Sequence, residues 1–117
     1  MKMTRLILSA AVALSLATLS NAATASSEAW ERADNEYQVQ RYKNALDIYE
    51  QIAATGDARA AELAGHMLAL GETLYGDEVR RDSAKAAQLL SQAARAGRPV
   101  AMHLLRHVDP TSVALSR

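Results

Sequence analysis

YKNALDIYEQIAATGDARAAELAG (residues 42–65) and SAKAAQLLSQAARAGRPVAMHLLR (residues 83–106) carry one pattern twice. A shift of 41 residues lays Ala45 on Ala86, Gln51 on Gln92, Ala53 on Ala94, Gly56 on Gly97, Ala60 on Ala101 and Leu63 on Leu104. A fixed internal period marks a repeat architecture, in which each unit buries its apolar face against the next. Small residues meet small residues where a turn or a close helix crossing is expected.

Each copy reads as two helices. In the first, Ala45, Ile48, Tyr49 and Ile52 recur at helical spacing and make one apolar face. Gly56 stops that helix, because glycine accepts the left-handed conformation at a helix end, and Asp57 supplies a cap for the next one. Ala60, Leu63, Ala64, Met67 and Leu68 form the second face. In the other copy Asp82 is the cap, Ala86, Leu89, Leu90 and Ala93 are the face, and Gly97 is the stop. Pro99 suits the first turn of the last helix, where its missing N–H costs nothing. Val100, Ala101, Leu104, Leu105 and Val108 are expected to make that helix's apolar face, ending at Asp109-Pro110. A leading helix within residues 23–41 carries Trp30, Ala33 and Tyr37 on one side. Residues 72–81 read as a loop and 109–117 as a flexible tail. No alternating β pattern competes, so the fold class is all-α, with about five helices.

The first residues read differently. Lys2 and Arg5 precede an uncharged apolar run from Leu6 to Leu19, and Ser20-Asn21-Ala22 and Ala23-Thr24-Ala25 offer small side chains for cleavage. That is the layout of a secretory signal peptide over residues 1–22, cut after residue 22 or 25. The apolar run is shorter than the roughly 20 residues a membrane span needs, so no membrane contact is expected after cleavage. The expected location is periplasmic or secreted. The chain has no Cys, which excludes a lipid-modified cysteine and any disulfide. Without Lys2 and Arg5, 11 basic and 13 acidic residues remain. This is no signature for nucleic acid. The charges are segregated: residues 28–78 hold 11 acidic and 4 basic side chains, and residues 79–117 hold 7 basic and 2 acidic ones.

Ala60, Gly65, Gly71, Val79, Asp82, Lys85, Ala86, Ala93, Ala94, Gly97, Ala101 and Leu105 resemble the spaced pattern of the Sel-one-like repeats, short α/α repeats related to tetratricopeptide repeats. Ala64 stands where that family has Leu and Leu68 where it has Tyr, and about five extra residues within 72–78 lengthen the segment before Val79. The resemblance spans residues 42–105. It implies a short right-handed α/α solenoid of two repeats behind the leading helix, with a concave face, acting through protein contacts as an adaptor or regulator.

Candidate chemistry is sparse. His103 and His107, four apart on the last helix, can face one way and chelate Zn²⁺ or Cu²⁺. Glu62 and His66 hold the equivalent positions one repeat earlier. Such positions stand roughly a helix diameter, ~10 Å, apart, whereas metal ligands lie ~2 Å from one ion; an ordinary polar helix face is the competing reading. There is no nucleophile elbow, phosphate-binding glycine loop or H-E-x-x-H motif. No catalytic role and no cofactor is expected. Trp30, Tyr37, Tyr42, Tyr49 and Tyr75 are all the aromatic residues, and they read mainly as helix packing. The expected partner is another protein, met through Tyr75, Arg80, Arg81, Arg95, Arg98 and Arg106, because tyrosine and arginine dominate interface hot spots. Lys85 belongs to the same basic set. Two repeats fall short of the three or so that stacking normally requires, which leaves a homodimer, paired acidic start to basic end, as a further expectation.

Overall fold

The structure, a computed structural model, describes residues 25–108. The expected signal peptide and tail lie outside these residues. Local chemistry sets the helix boundaries. The Asp57 carboxylate accepts the Ala60 N–H at 3.0 Å and opens one helix; Asp82 accepts the Lys85 N–H at 3.0 Å and opens another. These bonds satisfy donors that a helix start otherwise leaves orphaned. Gly56 and Gly97 close the preceding helices at φ +101° and +89°. The resulting order is α1 (25–38), α2 (Tyr42–Ala54), α3 (Ala58–Leu70), α4 (Glu72–Tyr75), α5 (Ser83–Arg95) and α6 (Pro99–Val108). Among the described residues there is no strand, and no helix is long and apolar enough to cross a membrane.

Among the described residues six helices stand where about five are expected. The addition is α4, inside the segment read as a loop. It forms because Tyr75 has somewhere to go: its ring is buried against Tyr37 and Tyr42, at centroid distances of 6.0 and 5.0 Å. The chain then returns over the end of α3. Val79 is buried, the Asp82 N–H donates to the Leu68 carbonyl at 3.0 Å, and the Arg81 N–H donates to the Glu72 carboxylate at 2.8 Å. That N–H holds the Glu72 carboxyl below its ordinary pKa.

Helix α3 is the centre of the molecule, with α2 on one side and α5 on the other, and α6 packs on α5 and α3. Most of the expected faces are buried, with Ala45, Tyr49 and Ile52 on α2, Ala60, Ala64, Met67 and Leu68 on α3, and Ala86, Leu90 and Ala93 on α5, while Ile48, Leu63 and Leu89 are half-buried. Much of this core is alanine. Small side chains let helix axes approach closely, but each buries little apolar surface, so a domain of this size has a thin stability margin. On α1, Ala33 is fully buried, Trp30 and Tyr37 pack on Tyr49, and Asp34 accepts the Tyr49 hydroxyl at 2.8 Å. Burial and that carboxylate raise the Tyr49 pKa far above the ordinary phenol range.

The last helix departs from expectation. Only Ala101 is buried on α6, and Val100, placed on its core face from sequence, is 55% exposed. The reason is angular. Neighbouring residues on a helix stand about 100° apart, so a core stripe centred between Ala101, Leu104, Leu105 and Val108 turns Val100 outward.

The ends of α1 and α5 share a hydrogen-bond pattern. Arg41 N–H reaches the Glu36 carbonyl at 2.9 Å as Arg98 N–H reaches Ala93 at 3.2 Å. The left-handed residue in between is Gly97 after α5 but Gln40, at φ +64°, after α1. A side chain there costs about 1 kcal/mol relative to glycine. Gln40→Gly is expected to raise stability by roughly 0.5–1 kcal/mol in chemical denaturation. An unchanged or lower midpoint would contradict this account of the turn.

Candidate functional site

The two helix pairs are joined by a polar contact that the repeat pattern explains. In α3 the third N–H, from Ala60, is capped by Asp57. The position equivalent to Asp57 in the second pair is Arg98, which cannot accept. The Ala101 N–H, equivalent to that of Ala60, donates instead to Glu62 on α3, at 3.2 Å. Arg98 has turned to the same carboxylate, with its Nη2 3.0 Å from Glu62 Oε1. One carboxylate on the first pair therefore caps the last helix of the second and holds its arginine. Glu62 is the one charged side chain buried among the described residues.

The Arg98 side chain is 38% exposed and that of Glu62 12%, so solvent screens part of the attraction. Glu62→Ala is expected to cost roughly 1–3 kcal/mol, below the usual figure for breaking a fully buried pair. Amide hydrogen exchange should locate the loss in α6. Uniform loss of protection across α2 and α3 would count against a local capping role.

Two further side chains cross between α2 and α5. Lys85 pairs with Glu50 at 2.8 Å, and Gln92 donates to the Ala53 carbonyl at 2.8 Å. Beside the Lys85–Glu50 pair, an open groove of about 700 Å³ is lined by Lys43, Asp47, Glu50, Arg80, Arg81 and Lys85.

The residues expected to touch a partner fall into three groups. Arg80, Arg81, Arg95 and Arg106 are exposed and form no ion pair among the described residues; Arg81 Nη2 only approaches the Thr73 hydroxyl at 3.5 Å. Arg98 is engaged by Glu62. Tyr75 is buried in the aromatic cluster, so its placement corrects the expectation of an exposed contact residue. In chain order Arg80 and Arg81 precede α5, Arg95 ends it, Arg98 lies in the turn before α6, and Arg106 lies within α6.

His103 and His107 are exposed, with ring centroids 4.8 Å apart. The equivalent pair does not extend them into a larger ligand set. Glu62 is occupied as described, and His66 Nδ1 lies 3.1 Å from the Tyr75 hydroxyl. Among the described residues, no three His, Asp or Glu side chains group as a metal site would require.

The Tyr75 hydroxyl also lies 3.3 Å from that of Tyr37, so three polar groups run in file through the aromatic cluster. Burial lowers the His66 pKa below 6.5, and the Glu62 charge opposes this in part. The unfolded chain therefore takes up a proton at His66 before the folded protein does. Stability is full above about pH 6.5 and falls as the pH drops through that value. Thermal melts from pH 7.5 to 5 should show this loss, and His66→Gln should flatten the slope; equal slopes would contradict it.

No family model, no curated protein and no solved structure matches this chain.

Proposed function

We propose that this chain is a non-enzymatic, exported protein-interaction module, a small regulator or inhibitor working in the periplasm or outside the cell. The observation that carries this reading is the state of its cations. Lys85 and Arg98 are used within the fold, whereas Arg80, Arg81, Arg95 and Arg106 stand in solvent without a carboxylate partner among the described residues. Exposed guanidinium groups on a helical scaffold favour and steer association with an acidic surface. The Sel-one-like resemblance supports the same reading and adds its finer form, a right-handed α/α solenoid of two repeats behind a leading helix. Export rests on the basic, apolar and small-residue layout of residues 1–25.

Two experiments test it. Intact mass of the secreted protein should place the mature N-terminus at Ala23 or Ser26; a retained Met1 would end the export proposal. Affinity capture from periplasm should enrich a protein that Arg80→Glu/Arg81→Glu/Arg95→Glu/Arg106→Glu no longer holds. Equal capture by the charge-reversed variant would count against this reading. A second reading, metal binding at His103 and His107, is favoured by their 4.8 Å ring separation. Calorimetry with Zn²⁺ and Cu²⁺ decides it, since heat that survives His103→Ala/His107→Ala has another source.

A further inference from the structure

The outward face of α6 is the counterpart, 41 residues on, of the face of α3 that receives the second helix pair. On α3 that face is small and acidic. Gly65 lies directly under Leu90, Ala61 is fully buried, and Glu62 accepts from Arg98 and Ala101. On α6 the same places hold Arg106 for Gly65, Met102 for Ala61 and His103 for Glu62. Each change runs the same way. The flat crossing point is filled by a guanidinium, the small contact residue becomes a thioether, and the carboxylate becomes an imidazole. A third helix pair seated as the second one is would meet Arg106 where it needs no side chain at all. It would also find no acceptor where Glu62 stands.

We propose that this face is instead a docking surface for an acidic segment of another protein. The proposal deepens the interaction-module reading and rests on it. Helical spacing sets His103, Arg106 and His107 along the middle of the exposed face, with Met102 (44% exposed) and Val100 (55% exposed) on its two flanks. From Ser83 to Val108 there is no Asp or Glu, and Arg95 adds its charge at the neighbouring end of α5. The surface is therefore cationic at its centre and apolar at its edges. Its complement is a segment bearing carboxylates between apolar side chains. A second copy docked α6 to α6 would oppose arginine to arginine, which disfavours self-association through this face.

The test uses the purified mature protein and two 18-residue amphipathic helical peptides, identical except for Glu or Lys on the polar face. NMR shift mapping with the Glu peptide should perturb residues 100–107. The Lys peptide should leave them unmoved, and Arg106→Glu should weaken Glu-peptide binding roughly tenfold or more. Equal response to both peptides, no response to either, or shifts elsewhere would overturn the assignment. So would concentration-dependent shifts of residues 100–107 without peptide, which would make the occupant a second copy. The two readings fail separately. If a captured partner survives Arg106→Glu but is lost with Arg80→Glu/Arg81→Glu, the module stands and its α6 surface falls.

Discussion

Gly71→Ala is expected to destabilise the protein by roughly 3–5 kcal/mol, a large part of what a domain of this size has. Two independent costs meet at this residue. Its backbone lies at φ +54°, ψ −139°, a combination that glycine tolerates and a side chain does not. A Cβ there would also stand 2.5 Å from the Arg81 backbone nitrogen and 2.6 Å from its Cα. Backbone cannot swing aside as the tip of a long side chain can. The Arg81 segment is held in place by the Glu72 carboxylate on its N–H and by the Asp82 N–H on the Leu68 carbonyl. Relief would require breaking those bonds and lifting Val79 out of the core. The loss should be read in denaturant unfolding, and the surviving fold should show exchange of the Arg81 and Asp82 amides. A change below about 1 kcal/mol would mean that the loop is free to move and that this packing is not rigid.

What the sequence made legible and what it hid divide along a physical line. The helix stops at Gly56 and Gly97, the caps at Asp57 and Asp82 and the buried alanines at 45, 60, 86 and 101 all follow from rules that act within a few residues. Helix α4 could not be read that way. Four residues, ETLY, are too few to show a period, and the turn exists because Tyr75 finds a buried place among aromatic side chains distant in the chain. The same burial removed Tyr75 from the contact surface. Val100 departs from the expected face because, among the described residues, α6 packs on α5 and α3 from one side, so its core stripe is narrower than that of a helix packed on both sides. The Glu62–Arg98 contact was missed, yet a signal for it was present. With the copies superposed, Arg98 falls on Asp57, so the second pair lacks the acceptor that caps the first. A buried donor rarely goes unpaired, and the missing carboxylate had to come from elsewhere. Where a partner binds is a different matter. Exposed and internally paired arginines satisfy the same composition, and only their packing distinguishes Arg98, used internally, from Arg106.

Leu90→Ala should be the most damaging substitution in the second helix pair, at roughly 2–5 kcal/mol. Leu90 is fully buried and sits at the crossing of α3 and α5, the most extensive contact among helices α2 to α6. Its particular partner makes a sharper prediction possible. A Cβ on Gly65 would fall 2.8 Å from Leu90 Cγ and 2.9 Å from Cδ2. Gly65 lies in the interior of α3, where alanine would otherwise favour the helix by about 1 kcal/mol. In the native background the clash outweighs that gain, because Leu90 is enclosed, and Gly65→Ala should cost roughly 1–3 kcal/mol. In a Leu90→Ala background the clashing atoms are gone. The same Gly65→Ala change should then stabilise the protein, both by helix propensity and by filling part of the space Leu90 leaves. A reversal of sign between backgrounds is the expected outcome of this double-mutant cycle, measured by urea unfolding. If Gly65→Ala destabilises both backgrounds alike, the close approach of the Gly65 and Leu90 backbones, 3.3 Å from the built Cβ to the Leu90 nitrogen, sets the limit instead. If it stabilises both, α5 stands further from α3 than this crossing implies. The small-residue face that distinguishes α3 from the charged outer face of α6 would then not be what lets the second helix pair seat.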